Sequence, residues 1–339
     1  MRVNVFGSLI LAACATGVTG QNSAEQGVDR VIYLTSIEKA QEIQEVATVI
    51  RSVAEIKSLS ADVSQRSLSV HGTAEQIALA ESLATELMAG HGSSAYEYRM
   101  SSGDLVHVYH LPHSESIRDF QWAVTTIRSI TDLRWAFTYN ARRAFVVRGS
   151  PGKMEMTGWL VQQLDQPADG RVGSSEYRVR DAVDDLVRVY FVKHVESEET
   201  LQELATFVRS VGNIRRLFTI GPTIAVATRG TAEEVGLADW LLQKLDQPAS
   251  GPAGAQPNQG DDAPQFQMSS SGDAVRLFYL RNATIQAFQN VTSEVRRMAA
   301  RAPKVFTYNA LGAMAVRGTA DQIAAAQDLI DERFKNPQQ

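Results

Sequence analysis

The hydrophobic positions of this chain fall into a pattern that repeats four times. Four short apolar stretches resemble one another: Val31-Ile32-Tyr33-Leu34, Val108-Tyr109-His110-Leu111, Val189-Tyr190-Phe191-Val192 and Leu277-Phe278-Tyr279-Leu280. Each is short, β-branched or aromatic, and bounded by polar residues, which predicts a strand. Apolar residues at helical spacing follow: Ile43, Val46, Ile50 and Val53 in the first copy, Phe120, Ala123, Ile127 and Ile130 in the second, Leu201, Leu204, Val208 and Val211 in the third. The fourth copy slips one place, to Phe288, Val291, Val295 and Met298.

Two further strands follow, joined by a tight turn. Asn140 and Asn309 mark the bend in two copies and Gly221-Pro222 in a third. The second of these strands alternates, with Phe145 and Val147 facing one way and Val146 and Arg148 the other. It ends on a repeated glycine: Gly72, Gly149, Gly230 or Gly318. A hydroxyl residue then caps a last helix. Thr231 with Glu234, Thr73 with Gln76 and Thr319 with Gln322 read as capping boxes, and Ser150 precedes Pro151 at the first helical position. Two of these helices end on Leu-Asp-Gln-Pro, at Pro167 and Pro248, where proline halts the helix.

Register makes the repeat convincing. The distance from Leu34 to Gly72 is 38 residues, and it is again 38 from Leu111 to Gly149, Val192 to Gly230 and Leu280 to Gly318. The steps between copies are 77, 81 and 88, so net length variation falls outside the cores. The unit is therefore β-α-β-β-α, an α+β arrangement with a small sheet and two helices on one face. Tyr96–Met100, Glu176–Arg180 and Phe266–Met268 predict an extra leading strand in copies two to four. The boundaries are module 1 at 28–90, module 2 at 95–168, module 3 at 174–248 and module 4 at 264–336, with a flexible linker at 249–263 rich in proline, glycine and asparagine. Module 3, with complete caps, is expected to fold by itself. The long step before module 4 predicts that it swings on a tether while modules 1 to 3 form a more continuous body.

Composition adds limits. The 339 residues are 44% hydrophobic and 21% charged, with a net charge of −5, which argues mildly against a nucleic-acid binder. The single cysteine, Cys14, allows no internal disulfide and no thiolate zinc cluster. Arg2, the apolar run Val5–Ala13 and the small residues before Gln21 read as a secretory signal over residues 1–20. Val18-Thr19-Gly20 suits ordinary cleavage, while Leu11-Ala12-Ala13-Cys14 resembles a bacterial lipobox that would make Cys14 a lipid anchor and the only route to a membrane. Both exits lead to the periplasm or the outer membrane.

Candidate chemistry is sparse. His107, His110 and His113 are the nearest thing to a metal motif, but strand alternation sends His110 to the face opposite the other two. A basic residue precedes each repeated glycine, at His71, Arg148, Arg229 and Arg317, and reads as a solvent-facing strand end. No catalytic arrangement of serine, histidine and acid, no phosphate loop and no recurring carboxylate pair stands out. Recurrent residues are apolar, capping or turn residues, as shared architecture requires. The expectation is no enzyme, no cofactor and no metal.

The strand Val187–His194, the strand Val146–Ser150 and the helix ending Leu-Asp-Gln-Pro resemble the N-terminal domains of bacterial secretins, which are NolW-like, ring-building modules of KH-like fold. The likeness covers about residues 28–336. It implies a periplasmic protein that binds other proteins, itself or a secretin among them, in a secretion or pilus system. The secretin pore domain has no counterpart within those residues. A KH-like topology also raises RNA binding, but no unit has a Gly-x-x-Gly between helices. The rival reading is a monomeric periplasmic array that binds peptide or glycan. Limited proteolysis of the mature protein should cut first between Ala249 and Pro264. First cuts inside the 38-residue cores would show the modules to be wrongly drawn.

Overall fold

A computed structural model describes residues 27–90, 96–167, 170–171, 173–248, 263–280, 283–298 and 303–335. Cys14, the signal at 1–20 and all of the 249–263 segment but Ala263 lie outside the described residues.

Among the described residues the four copies form four antiparallel sheets with eight α-helices. Module 1 runs β1 (Val28–Tyr33), α1 (Ala40–Val53), β2 (Ser58–Asp62), β3 (Ser67–Gly72) and α2 (Ala74–Ala89). Module 2 adds the leading strand β4 (Tyr96–Arg99) before β5 (Leu105–His110), α3 (Ile117–Thr131), β6 (Trp135–Tyr139), β7 (Ala144–Gly149) and α4 (Pro151–Leu164). Module 3 is β8 (Ser174–Arg178), β9 (Leu186–Phe191), α5 (Glu198–Gly212), β10 (Arg216–Ile220), β11 (Ala225–Gly230) and α6 (Ala232–Leu245). Module 4 is β12 (Gln265–Gln267), β13 (Ala274–Tyr279), α7 (Ile285–Arg297), β14 (Lys304–Tyr308), β15 (Ala313–Gly318) and α8 (Ala320–Lys335). The sheet orders β4-β5-β7-β6, β8-β9-β11-β10 and β12-β13-β15-β14 put each leading strand at one edge, hairpinned onto the next, as the sequence predicts.

Local signals account for the repeat. The Thr73–Gln76, Thr231–Glu234 and Thr319–Gln322 pairs form their reciprocal capping bonds. The bend between the last two strands ends on a left-handed residue at Arg66, Arg143, Ile224 or Gly312. Its carbonyl accepts from the N–H of Leu34, Leu111, Val192 or Leu280, which is why the residue after the first strand keeps its place. The first helix of modules 1 to 3 also ends left-handed, at Glu55, Asp132 and Asn213. The next N–H, on Ile56, Leu133 or Ile214, returns to the carbonyl of Arg51, Arg128 or Arg209, and that apolar residue is buried.

Each sheet of modules 2 to 4 is covered on both faces, which the sequence reading did not anticipate. Phe145 and Val147 of β7 pack with their own helices, whereas Ala144 and Val146 join the core of module 1. Ala225 and Ala227 of β11 join the core of module 2, and Ala313 and Ala315 of β15 that of module 3. Across each joint the first helix of one module lies on the third strand of the next: α1 on β6, α3 on β10 and α5 on β14. The small residues let the helix approach closely. Module 4 is held by this same contact, so the expected swing is not what the structure shows. Its cause is burial: Val275, Leu277 and Tyr279 lie in one apolar cluster with residues of α5 and α6.

The expectation that residues 174–248 fold alone changes accordingly. Cut from module 2, they would bare Val187, Val189, Phe191, Ile220, Ala225 and Ala227. We expect that fragment to keep its circular dichroism but to self-associate on a sizing column. A monodisperse, monomeric 174–248 fragment would show that the joint face tolerates water.

Candidate functional site

The residues that the repeat holds in place converge on the joints between modules. Arg148, Arg229 and Arg317 stand one residue before the strand-end glycine and were expected to face solvent. Instead Arg148 and Arg229 are buried, 7% and 9% exposed, and Arg317 is partly buried. Each guanidinium reaches the preceding module and donates to a carbonyl near the end of its first helix: Arg148 to Val53 at 3.1 Å, Arg229 to Ile130 at 2.9 Å and Arg317 to Val211 at 2.8 Å. The reason is the helix terminus, whose last carbonyls lack intrahelical donors and carry partial negative charge. Acidic residues complete the seat. Arg148 meets Glu55 at 2.8 Å and Asp104 at 3.0 Å, Arg229 meets Asp184 at 3.2 Å, and Arg317 lies 3.6 Å from Asp273. His71 holds the same place in module 1, has no module before it within the described residues, and pairs with Asp29 instead.

Further polar contacts distinguish the joints. Between modules 1 and 2, Tyr139 donates to Glu42 and the N–H of Asn140 to Glu45. Between modules 3 and 4, the N–H of Asn309 donates to Glu203 at 2.7 Å. Burial, helped by the nearby carboxylates, pushes the Tyr139 and Tyr308 phenols up to about 12. Glu75 accepts from the backbone and hydroxyl of Ser101, which lowers its carboxyl below the usual range. Glu233 does the same with Ser269 and Ser270. The middle joint has Gly152 in that place. It is tied instead by Arg216 to Asp132 at 2.6 Å and by an Arg118–Glu198 pair. The leading strands serve the joints too, since Tyr177 packs on Trp159 and Phe266 on Trp240 of the preceding module.

The other residues singled out by sequence find structural places. Gly72, Gly230 and Gly318 leave room for the capping side chains of Gln76, Glu234 and Gln322, and Gly149 lies against Met154 and Leu133. The three histidines separate as alternation requires. His107 bonds Glu97 and Tyr109 at 3.0 Å each, His110 lies 3.7 Å from Glu86 of module 1, and His113 bonds Asp165. The aspartate of Leu-Asp-Gln-Pro closes its own module: Asp165 accepts from the N–H of His113, and Asp246 from those of Lys193 and His194. Sequence reasoning took that word only as a helix stop. The histidine two residues past Leu111 and Val192 was the missed signal.

No family model and no curated protein matches the chain in sequence. In structure it is similar to ExeD of Aeromonas hydrophila, at 10% identity and TM-score 0.16, over 86% of this chain and 59% of that one. It is also similar to the XcpQ N012 segment, at 14% identity and TM-score 0.23, over 66% of this chain and 100% of that one. A third neighbour is the ETEC pilotin–secretin AspS–GspD complex, at 11% identity and TM-score 0.17, over 87% of this chain and 59% of that one. The chain thus spans 59% of the length of two of these neighbours, and the whole-chain superpositions are poor.

The joint arginine predicts a measurable asymmetry. Arg229→Met should lower stability in urea by about 1–3 kcal/mol, since it takes the donor from the buried Ile130 carbonyl and one of two arginine partners from Asp184. Arg178→Ala, at an exposed ion pair, should change it by less than about 0.5 kcal/mol. Equal effects would remove the arginine from the account of the joint.

Proposed function

We propose that this protein is a non-catalytic scaffold of the bacterial cell envelope whose repeats bind other proteins, in a secretion or pilus system. The observation that carries this reading is what the repeat preserves. Caps, bend residues, apolar positions and joint arginines recur in register, and each has an architectural task. Selection for one shared reaction would repeat polar groups at a common cleft. The sequence resemblance to secretin N-terminal modules points the same way. The neighbours at TM-scores of 0.16–0.23 add no weight of their own. The module boundaries at 28–90, 95–168, 174–248 and 264–336 belong to this proposal, as does export by residues 1–20. Anchoring at Cys14 would hold the array at the outer membrane.

Photocrosslinking in the native cell tests it. A photoreactive amino acid placed at the exposed apolar positions Tyr33, Val183 and Ile285 should give discrete adducts with envelope proteins or with a second copy. The protein should fractionate with the periplasm or outer membrane, and deletion of residues 1–20 should abolish both results. A cytoplasmic protein with no adducts at any of the three positions would overturn the reading.

A further inference from the structure

The four modules can be compared at one further place, the outer edge of the strand after the first helix. In modules 1, 3 and 4 this edge is stoppered from within. Arg51 donates to the carbonyl of Leu59 at 2.9 Å, Arg209 to that of Leu217 at 2.6 Å, and Arg296 to that of Val305 at 3.3 Å. The same register position in module 2 is Ala136 on β6, and the matching arginine is Arg128. Arg128 is exposed, its guanidinium makes no hydrogen bond or ion pair among the described residues, and the outward carbonyl of Ala136 has no such donor. β6 pairs only with β7, so Ala136 and Thr138 turn their N–H and C=O groups away from the sheet.

They turn them into a groove of about 1090 Å³. One wall is α1, with Gln41, Gln44 and Thr48. The other is α3, with Gln121, Thr125 and Arg128. Val49 and Val124 line the groove below these rims, and Phe137 and Thr138 of β6 lie along it. At the next joint the corresponding space is about 310 Å³, where Trp122 takes the place that Glu45 has on α1. An unpaired strand edge is a template for another strand, and proteins ordinarily block or cover it. Here three edges are blocked and one is left open between walls rich in glutamine and threonine. Glu45 and Asp132 are engaged, with the Asn140 N–H and with Arg216, so among the described residues the groove's charges without an ion-pair partner are two cations, Arg128 beside the Ala136 carbonyl position and Arg134, which lies over the Trp135 ring.

We propose that the open edge of β6 is a docking site for an extended segment of a partner polypeptide, which adds a fifth strand to the sheet of module 2 and sets an acidic side chain against Arg128. The inference rests on the protein-binding reading above and names the surface and the ligand chemistry. Main-chain bonds to Ala136 and Thr138 supply affinity, and the α1 and α3 walls read alternate side chains. Five residues of β6 match a strand of about 17 Å.

The probe is an end-blocked heptapeptide alternating valine and threonine around a central glutamate, added to the full chain and read by amide hydrogen exchange. Protection should appear at Ala136 and Thr138 and not along β2, β10 or β14. A peptide with lysine for glutamate should bind roughly fivefold to tenfold more weakly, and Arg128→Glu should reverse that preference. A glutamate peptide N-methylated at alternate residues should give no protection. The proposal is overturned if neither peptide protects β6 at millimolar concentration, or if the four edges are protected alike. Envelope crosslinks without a β6 response would sink this site and leave the scaffold reading standing. The converse pair of results would sink the scaffold reading alone.

Discussion

The structure depends on one constraint: the sheets of modules 2 to 4 have two apolar faces, and a module's own helices can cover only one. Val106, Val108 and Val146 leave no choice but to be covered by α1 and α2. Burying a valine or leucine side chain stabilises by roughly 1.5–3 kcal/mol, and each joint gathers several. The arginine then fixes where the helix lies. Its guanidinium must meet the carbonyls at the helix end, which sets the helix along its own axis as apolar packing alone would not. Burial supplies the drive at a joint, and Arg148, Arg229 or Arg317 supplies the register.

This division explains differences among the copies that otherwise look arbitrary. Module 1 has no described neighbour before it. Its outer sheet face carries Asp29, Ser58, Ser60, Asp62 and Ser69, where module 2 has Val106, Trp135, Phe137, Tyr139 and Val146, and the apolar residues it keeps there, Val31 and Tyr33, are exposed. Leading strands occur in modules 2 to 4, where Tyr177 and Phe266 lie on the second helix of the preceding module. At the other end, Glu294 of α7 holds the place of the buried Val49, Thr126 and Phe207, and it pairs with Arg333 within its own module.

The elements were legible because local chemistry specifies them: capping pairs, the 38-residue register and the helical periods all fell where the structure has them. The joints were not, and the reason is physical. Alternation along β7 showed that Val146 and Arg148 share a face, but strand periodicity cannot distinguish water from a neighbouring helix as the cover. The buried arginine looked like a surface residue because its partners, the carbonyls of Val53, Ile130 and Val211, are backbone atoms about a hundred residues away and leave no mark in sequence. Two signals did exist. A strand whose residues are apolar on both faces, as in Ala225–Gly230, has no wet side, and a basic residue recurring at one register position asks for a recurring partner.

The two ends of the array bear on how it meets other molecules. Repeat arrays stay soluble when their terminal copies present polar outer faces. Here the first described end face sets Asp29, Asp62 and serines around the exposed Val31 and Tyr33, and the last carries Glu294, so a further copy stacked on either would bury carboxylates without the arginine and small-residue strand that make a joint. Growth along the stacking axis is therefore disfavoured by the residues themselves. What remains are the flanks, where strand edges run along the stack. Arg51, Arg209 and Arg296 withdraw three of those edges by bonding their outward carbonyls. Contacts at the flank are then governed by which edge lacks its arginine bond, so one unmade hydrogen bond in module 2 gives a four-fold repeated body a single distinguished side.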